Sequence, residues 1–183
     1  MKKRIYALIL GGIFAFAGCP LTSIAQTAST AEPTTVTKGK PYKENWANTK
    51  VILKKKIWTV EDKNNDNNTW EDLDAGAPAY NGANATVNAD DWLVSPPLHL
   101  IAGQTYALEA GAVVGGHSGT GQRMNIAYGT GDDPTTYNEI VPTTPISGTA
   151  FGTPTTIKTT FTPTETGDYR IGFHAVSDRP GYI

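Results

Sequence analysis

Residues 155–174 read TTIKTTFTPTETGDYRIGFH, and the clearest indication of the architecture lies in this stretch. In its first half, Ile157 and Phe161 fall on one face of an extended chain, with threonines on the other face. From Tyr169 to His174 larger apolar side chains again alternate with other residues. Alternation with a period of two is typical of a strand with one buried face. Between the halves, residues 163–168 combine proline, glycine and aspartate, which favour turns. The stretch therefore predicts two strands joined by a turn.

The same pattern recurs along the chain. Residues 105–110 and 124–128 alternate, while residues 51–53 and 57–60 add β-branched and aromatic runs that suit a half-buried strand. Beyond the leader no apolar pattern has helical spacing, and turn-forming residues interrupt the chain about every eight to twelve residues. This spacing predicts an all-β sandwich of two antiparallel sheets. We expect its core to include Trp58, Trp92, Leu93, Leu98, Leu108, Ile126, Tyr128, Phe161, Tyr169, Ile171 and Phe173.

The N-terminus has the pattern of an export signal. Basic residues at positions 2–4 precede an apolar run over residues 5–17, which is too short to span a bilayer comfortably. Two processing sites compete: cleavage after Ala25, and lipoprotein processing at Cys19. The sequence favours the first, because Ser23 and Ala25 are small, whereas Phe16, three residues before Cys19, and Pro20, just after it, are unusual for lipidation.

These features divide the chain into a signal peptide over residues 1–25, a flexible linker over residues 26–37 and one β-sandwich domain over residues 38–183. We expect a secreted or cell-surface protein, with an outer-membrane lipoprotein anchored through Cys19 as the alternative. Since Cys19 is the only cysteine, the mature domain has no disulfide and no thiolate for catalysis or zinc binding.

The charge distribution excludes nucleic acid as a partner. The formal net charge is −2, and no basic cluster is interleaved with aromatic residues. Residues 54–56 are three consecutive lysines, which we interpret as a solvated strand edge, where lysine discourages pairing with other chains.

Four segments carry a resemblance to a known family. They are residues 57–62 (IWTVED), residues 88–98 (NADDWLVSPPL) and residues 100–106 (LIAGQTY), and residues 161–174 supply a late strand pair. The chain resembles the cleaved-adhesin domains, MAM-like jelly rolls found in gingipain haemagglutinin regions. The resemblance covers nearly all of residues 58–174, and its most specific part is the run from Asp91 to Pro97. It implies a jelly-roll β-sandwich with a role in adhesion.

The C-terminal residues depart from this family pattern. The resemblance implies one more strand with an acidic pair followed by an apolar residue, whereas the chain ends at residues 180–183 (PGYI). We therefore expect the last strand to be absent or supplied elsewhere, by a donor strand or by further domains of the same protein. An open sheet edge of that kind accepts a donated strand.

Residues 62–68 (DKNNDNN) are the strongest candidate for a metal site. Oxygen-bearing side chains alternate at Asp62, Asn64, Asp66 and Asn68, as in loops that wrap a calcium ion with six to eight oxygens. The resemblance also implies structural calcium in this loop. Asp90 and Asp91 are candidates to complete the shell, or to cap a turn before Trp92, and we favour Asp91 as the ligand. The alternative is a plain polar turn, because Asn and Asp favour loops without any metal.

The remaining motifs do not specify catalysis. Residues 115–121 (GGHSGTG) lack the spacing of a nucleophile elbow or a phosphate loop, so we interpret them as a loop. His99, His117 and His174 are too far apart in sequence for a zinc site. No pair of acids stands out as the two carboxylates of a glycosidase. The chain is predicted not to be an enzyme.

Five aromatic residues lie in predicted loops or at segment ends, where such rings stack on sugars or pack in a core: Trp46, Trp70, Tyr80, Tyr137 and Tyr182. The sequence predicts a non-enzymatic extracellular module whose ligand is a glycan or a host protein. The alternatives are an accessory domain of a secreted protease or glycoside hydrolase, or a small glycosidase.

Overall fold

The computed structural model describes residues 11–14, 32–37, 40–73, 76–82, 84–114, 122–146, 154–178 and 181–182. One α-helix, α1 (Thr49–Lys54), and a single turn of 3-10 helix (Pro134–Thr136) accompany the strands in this part of the chain. The strands are β1 (Gly11–Phe14), β2 (Thr34–Thr35), β3 (Lys43–Glu44), β4 (Thr59–Asp62), β5 (Trp70–Asp72), β6 (Pro78–Gly82), β7 (Asp91–Val94), β8 (Leu98–Leu100), β9 (Tyr106–Ala112), β10 (Arg123–Thr130), β11 (Asn138–Pro145), β12 (Thr155–Phe161), β13 (Gly167–Ala175) and β14 (Gly181–Tyr182).

Two large sheets form the body of the domain. Within the described residues, one sheet has the order β11-β10-β13-β7-β4, with β8 pairing both β13 and β2, and the other has the order β12-β9-β1-β3. All of these pairings are antiparallel except that of β2 with β8. A small sheet of order β14-β6-β5 lies beside them. The predicted all-β sandwich is confirmed, and the small sheet and the parallel pair are additions to it.

The core lies between the two large sheets. Alternate residues of β13, such as Ile171 and Phe173, face alternate residues of β9, such as Leu108 and Ala110, in one apolar cluster. Tyr128 of β10 packs on Phe161 of β12, with ring centroids 4.5 Å apart. The predicted core residues all belong to this cluster or pack against it, except Trp92.

Trp92 lies on the opposite face of its sheet from the core. It forms a second, smaller cluster with Val94, Ala127 and Tyr137. Gly172 makes room for this cluster, because a Cβ atom there would lie 2.8 Å from the Trp92 ring. Burial on both faces explains why the strand sequence Asp91–Val94 is almost continuously apolar.

β7 and β8 form one strand that is interrupted between Val94 and Leu98, and Ser95 bridges the interruption. Both pair with β13, on either side of the two prolines at positions 96 and 97, which have no N–H for the ladder. The Ser95 Oγ accepts the N–H of Ile171 at 2.9 Å, and Arg170 Nη1 donates to the Ser95 carbonyl oxygen at 2.9 Å. Side chains thus replace ladder bonds at the break.

Ser95→Ala is expected to lower the free energy of unfolding by about 1–3 kcal/mol, because the buried N–H of Ile171 would lose its side-chain acceptor. Chemical denaturation of the two proteins measures the difference. Thr164→Ala, at an exposed turn position, serves as the control and should change stability by less than about 0.5 kcal/mol. Equal stability of Ser95→Ala and the wild type would contradict this role.

The prediction of a strand at residues 51–53 is wrong, since these residues lie in α1. The Asn48 carbonyl accepts the N–H groups of Val51 and Ile52, and Ile52 and Leu53 pack against the core from this helical turn. Tertiary packing here overrides the β-propensity of a short apolar run. The lysines at 54–56 are exposed, as predicted, but they end a helix, where positive charge is favourable.

The structure also contains residues that the sequence assigned to the leader and the linker. Gly11–Phe14 forms β1, inserted between β9 and β3. Thr34 and Thr35 form β2, and Val36 is buried in the core. The folded unit therefore includes the end of the segment predicted as a flexible linker.

Candidate functional site

The loop between β4 and β5 is wound around its own acidic side chains. Asp62 accepts the backbone N–H of Asp66 at 3.3 Å and that of Asn67 at 2.9 Å. Asn65 and Asn67 adopt positive φ angles of 55° and 63°, which asparagine tolerates better than most residues. The loop thereby turns its oxygen-bearing side chains inward.

Asp91 lies opposite this loop at the start of β7. Sheet register pairs it with Asp62, and its side chain is fully buried, with 0% exposure. Trp70 Nε1 donates to the Asp91 carbonyl oxygen at 3.1 Å, and the Asp90 N–H donates to Asp91 Oδ2 at 3.2 Å. These contacts fix the residue at the base of the loop.

Two carboxylate oxygens in this region are buried without a hydrogen-bond partner: Asp91 Oδ1 and Asp66 Oδ2. A buried carboxylate oxygen without a donor is costly, because it has lost water and gained nothing in exchange. Such oxygens are the ligands that calcium prefers. Their chemistry therefore fits a hard cation.

The electrostatics of Asp91 point the same way. Burial raises its pKa to about 7, and the nearby carboxylates of Asp62 and Asp66 add to the rise. The Asp90 N–H opposes it, and so does the Thr69 hydroxyl, which lies near the carboxylate but makes no regular hydrogen bond. Burial and the same three carboxylates also raise the pKa of the Tyr80 hydroxyl. Negative charge is thus concentrated around Asp91, and no basic side chain among the described residues offsets it there.

The structure brings the three predicted aspartate ligands near one another, whereas the two predicted asparagine ligands make hydrogen bonds within the loop. Asp62, Asp66 and Asp91 lie close enough to interact electrostatically. Asn64 uses its Oδ1 to accept the Asp66 N–H at 3.2 Å, and Asn68 Nδ2 donates to the Asp66 carbonyl at 3.1 Å. Across the described ranges, no three acidic, histidine or cysteine side chains converge as a ready metal cluster. The asparagines, as placed, stabilise the loop.

Asp90 takes a different partner from its neighbour. Its Oδ1 lies 2.7 Å from His174 Nε2, and the His174 ring stacks on Trp92, with centroids 4.0 Å apart and planes inclined by 9°. Burial lowers the pKa of His174, while the hydrogen bond and the charge of Asp90 oppose the shift. No local pattern indicates this pairing, because the two residues are far apart along the chain.

We expect His174 to make the protein less stable as the pH falls below about 6.5. Since the folded state disfavours the imidazolium, the stabilisation is complete above the unfolded pKa and is lost as the pH falls through the folded pKa. His174→Phe keeps a ring against Trp92 and cannot take up a proton. Urea unfolding near pH 7.5 and near pH 5 should show a larger loss for the wild type than for His174→Phe.

The variant also removes the hydrogen-bond partner of Asp90, so the difference between the two proteins reports on the His174–Asp90 pair. The groups outside the pair titrate in both proteins. Parallel pH profiles for the two proteins would show that the imidazole does not contribute.

The remaining histidines and acids form no second site among the described residues. His99 Nδ1 lies 2.8 Å from Asp168 Oδ1 at the surface, and His117 lies outside the described residues. A glycosidase needs an acid with a raised pKa that reaches substrate. The described carboxyl group with such a pKa belongs to Asp91, which is fully buried.

The predicted loop aromatics are core residues wherever their side chains are described. Trp46, Trp70 and Tyr80 are each no more than 2% exposed, and Tyr137 is 9% exposed. The Tyr182 side chain lies outside the described residues. None of the four buried rings is available to stack on a sugar.

Comparison with solved structures identifies a similar fold. No protein-family model and no curated protein sequence matches the chain. The structure is similar to the K3 cleaved adhesin domain of Lys-gingipain from Porphyromonas gingivalis w83, with a TM-score of 0.52 and 19% sequence identity, over 69% of this chain and 85% of that chain. The predicted resemblance to the cleaved-adhesin fold is confirmed at the level of the fold. No helix in the described part of the chain has the length and apolar character needed to cross a membrane.

Proposed function

We propose that this chain is a non-enzymatic binding or adhesion module of the cell surface or the extracellular medium, whose ligand is a carbohydrate or a host protein. The observation that carries the proposal is the β-sandwich that it shares with a cleaved adhesin domain. The predicted signal peptide over residues 1–25 supports a location outside the cytoplasm. The same sandwich architecture hosts unrelated activities, so the ligand class must be tested directly.

We propose further that the loop at residues 62–68 and Asp91 hold a structural calcium ion. Bound calcium would supply the positive charge that the buried carboxylates lack. Asp91 and Asp66 would offer the two oxygens that have no hydrogen-bond partner, and the Asp62 carboxylate adds a third negative charge that Asp91 senses. Asn64 and Asn68 keep the loop wound in the form that presents these oxygens.

The positions of the acidic side chains support the proposal that the protein is not a glycoside hydrolase. A general acid must lie within hydrogen-bond reach of the group that it protonates. Asp91 is sealed inside the protein at 0% exposure, and its neighbours in the loop bond to backbone N–H groups. This arrangement favours a structural role for the cluster over glycoside hydrolysis.

A second candidate function is that of an accessory domain attached to a secreted protease or glycoside hydrolase. The observation that favours it is that the similar structure is itself one domain of a larger protein, Lys-gingipain. A catalytic domain encoded in the same reading frame would favour this candidate over a free-standing adhesin.

Binding arrays of glycans and of host extracellular proteins test the proposed function. The exported protein is applied once with calcium and once with EDTA, beside Asp91→Asn. We expect selective binding in calcium, and weaker binding in EDTA or with the variant, because the loop loses its cation. Asp90→Asn, at the neighbouring position, is the matched control and should bind like the wild type.

Two outcomes would contradict the proposal. One is the absence of selective binding on both arrays. The other is hydrolysis of glycoside or peptide substrates at a rate well above that of a heat-denatured sample, which would make the protein an enzyme.

A further inference from the structure

We propose that the exported protein has a vacant strand position between β9 and β3 that accepts an extended segment of another polypeptide. In the structure this position is filled by β1. Gly12, Ile13 and Phe14 pair antiparallel with Glu109, Leu108 and Ala107 of β9, and Gly11 and Gly12 pair antiparallel with β3. The occupant is therefore hydrogen-bonded along both of its edges.

The segment that fills the position belongs to the predicted leader. Both candidate processing sites, at Cys19 and after Ala25, lie beyond Phe14, so either one removes the whole of β1. The inference rests on the export proposed above. It does not depend on which of the two sites is used.

Removal of β1 would leave β9 incompletely paired. Leu108 is 3% exposed and Ala110 is 0% exposed, so one face of β9 packs in the hydrophobic core. β12 covers one edge of β9 along its whole length, and β1 pairs with residues 107–109 on the other edge. Without β1, the second edge presents unpaired N–H and C=O groups beside an apolar core, which is the feature that a donated strand satisfies.

The shape of the position selects its occupant. It is one strand wide, with β9 and β3 about 10 Å apart, twice the spacing of neighbouring strands. A folded second copy could offer only a sheet edge, which pairs on one side and cannot enter between two strands. A free extended segment pairs on both sides. Its residue opposite Leu108 shares the buried face of the sheet and must therefore be apolar.

A register-specific cross-link tests the proposal. The protein is recovered after export, and mass spectrometry identifies its N-terminus. Cys19 is either removed or lipidated, so Glu109→Cys supplies a single free thiol. The probe is a synthetic peptide of residues 9–17 with flanking lysines and cysteine in place of Gly12, the partner of Glu109. Cross-strand Cα atoms about 4.5–5.5 Å apart are within reach of a disulfide.

Two controls define the register and the edge. One is a peptide with cysteine in place of Ile13, because a slip of one residue turns the side chain to the other face. The other is Lys158→Cys on β12, which lies opposite Glu109 on the far side of β9. A strand in the vacant position would be about 10 Å from it, beyond disulfide reach. We expect the matched pair to cross-link at least about tenfold faster than either control, and the matched peptide to raise the melting temperature.

Four outcomes would overturn the proposal. The first is an exported protein that lacks residues 11–14 and neither binds nor cross-links the peptide. The second is cross-linking that is equally fast at Lys158→Cys. The third is a disulfide-linked dimer of the Glu109→Cys variant in the absence of peptide, which assigns the edge to a second copy. The fourth is an N-terminus that still includes residues 11–14, which would refute removal of β1 and leave the binding function to the arrays.

Discussion

Asp91→Asn is expected to have opposite effects on stability with and without calcium. In calcium, the wild type should gain about 2.7 kcal/mol at a concentration a hundredfold above Kd, which is a rise of roughly 5–10 °C in melting temperature. The variant should show little of this gain, because it lacks a buried carboxylate ligand. In EDTA near pH 8, it should be as stable as the wild type or more stable, since the amide carries no buried charge beside Asp62 and Asp66.

Thermal unfolding followed by circular dichroism, in calcium and in EDTA, measures both effects. Asp90→Asn is the matched control, because the Asp90 side chain pairs with His174 and only its backbone carbonyl bonds to the loop, through the Lys63 N–H, and it should keep the calcium response. An equal calcium shift in Asp91→Asn and the wild type would remove Asp91 from the site. A loss of stability for Asp91→Asn in EDTA would show that the charge is already compensated.

Phe173→Ala is expected to lower the free energy of unfolding by about 3–5 kcal/mol, the usual cost of truncating a buried aromatic residue. Phe173 is 1% exposed and lies between Leu93 and Ile126 on the neighbouring strands. Its ring also packs on Trp58, with centroids 6.0 Å apart. Urea unfolding at constant calcium measures the loss.

The control for this truncation is Val87→Ala, since Val87 is 45% exposed and should change stability by less than about 0.5 kcal/mol. A loss below about 1 kcal/mol for Phe173→Ala would mean that the two sheets do not pack through β13.

The strands that the sequence predicts well are those with one buried face. In β12 the apolar residues Ile157 and Phe161 are separated by threonine and lysine, so the period of two is visible. The run at residues 51–53 has no such period, and only packing of Ile52 and Leu53 decides for a helix. The pairing of Gly11–Phe14 with β9 depends on contacts about a hundred residues away, which local patterns do not encode.

In the candidate site, too, the sequence shows the local pattern but not the long-range contacts. The alternating oxygens at Asp62 and Asp66 are visible in the sequence, and so is an acidic residue before Trp92. Whether that residue belongs to the loop depends on sheet register, which pairs Asp91 with Asp62 and leaves Asp90 to His174. The pleat sends the side chains of two adjacent aspartates to opposite faces of the sheet. The sequence alone does not show which of the two faces the loop.

Titration calorimetry of calcium into the exported protein is the most direct test of the proposal that calcium stabilises this sandwich. We expect one calcium ion per chain for the wild type and for Asp90→Asn, and no binding for Asp91→Asn. A wild-type protein that binds no calcium, or an Asp91→Asn variant that binds it as tightly as the wild type, would contradict the account.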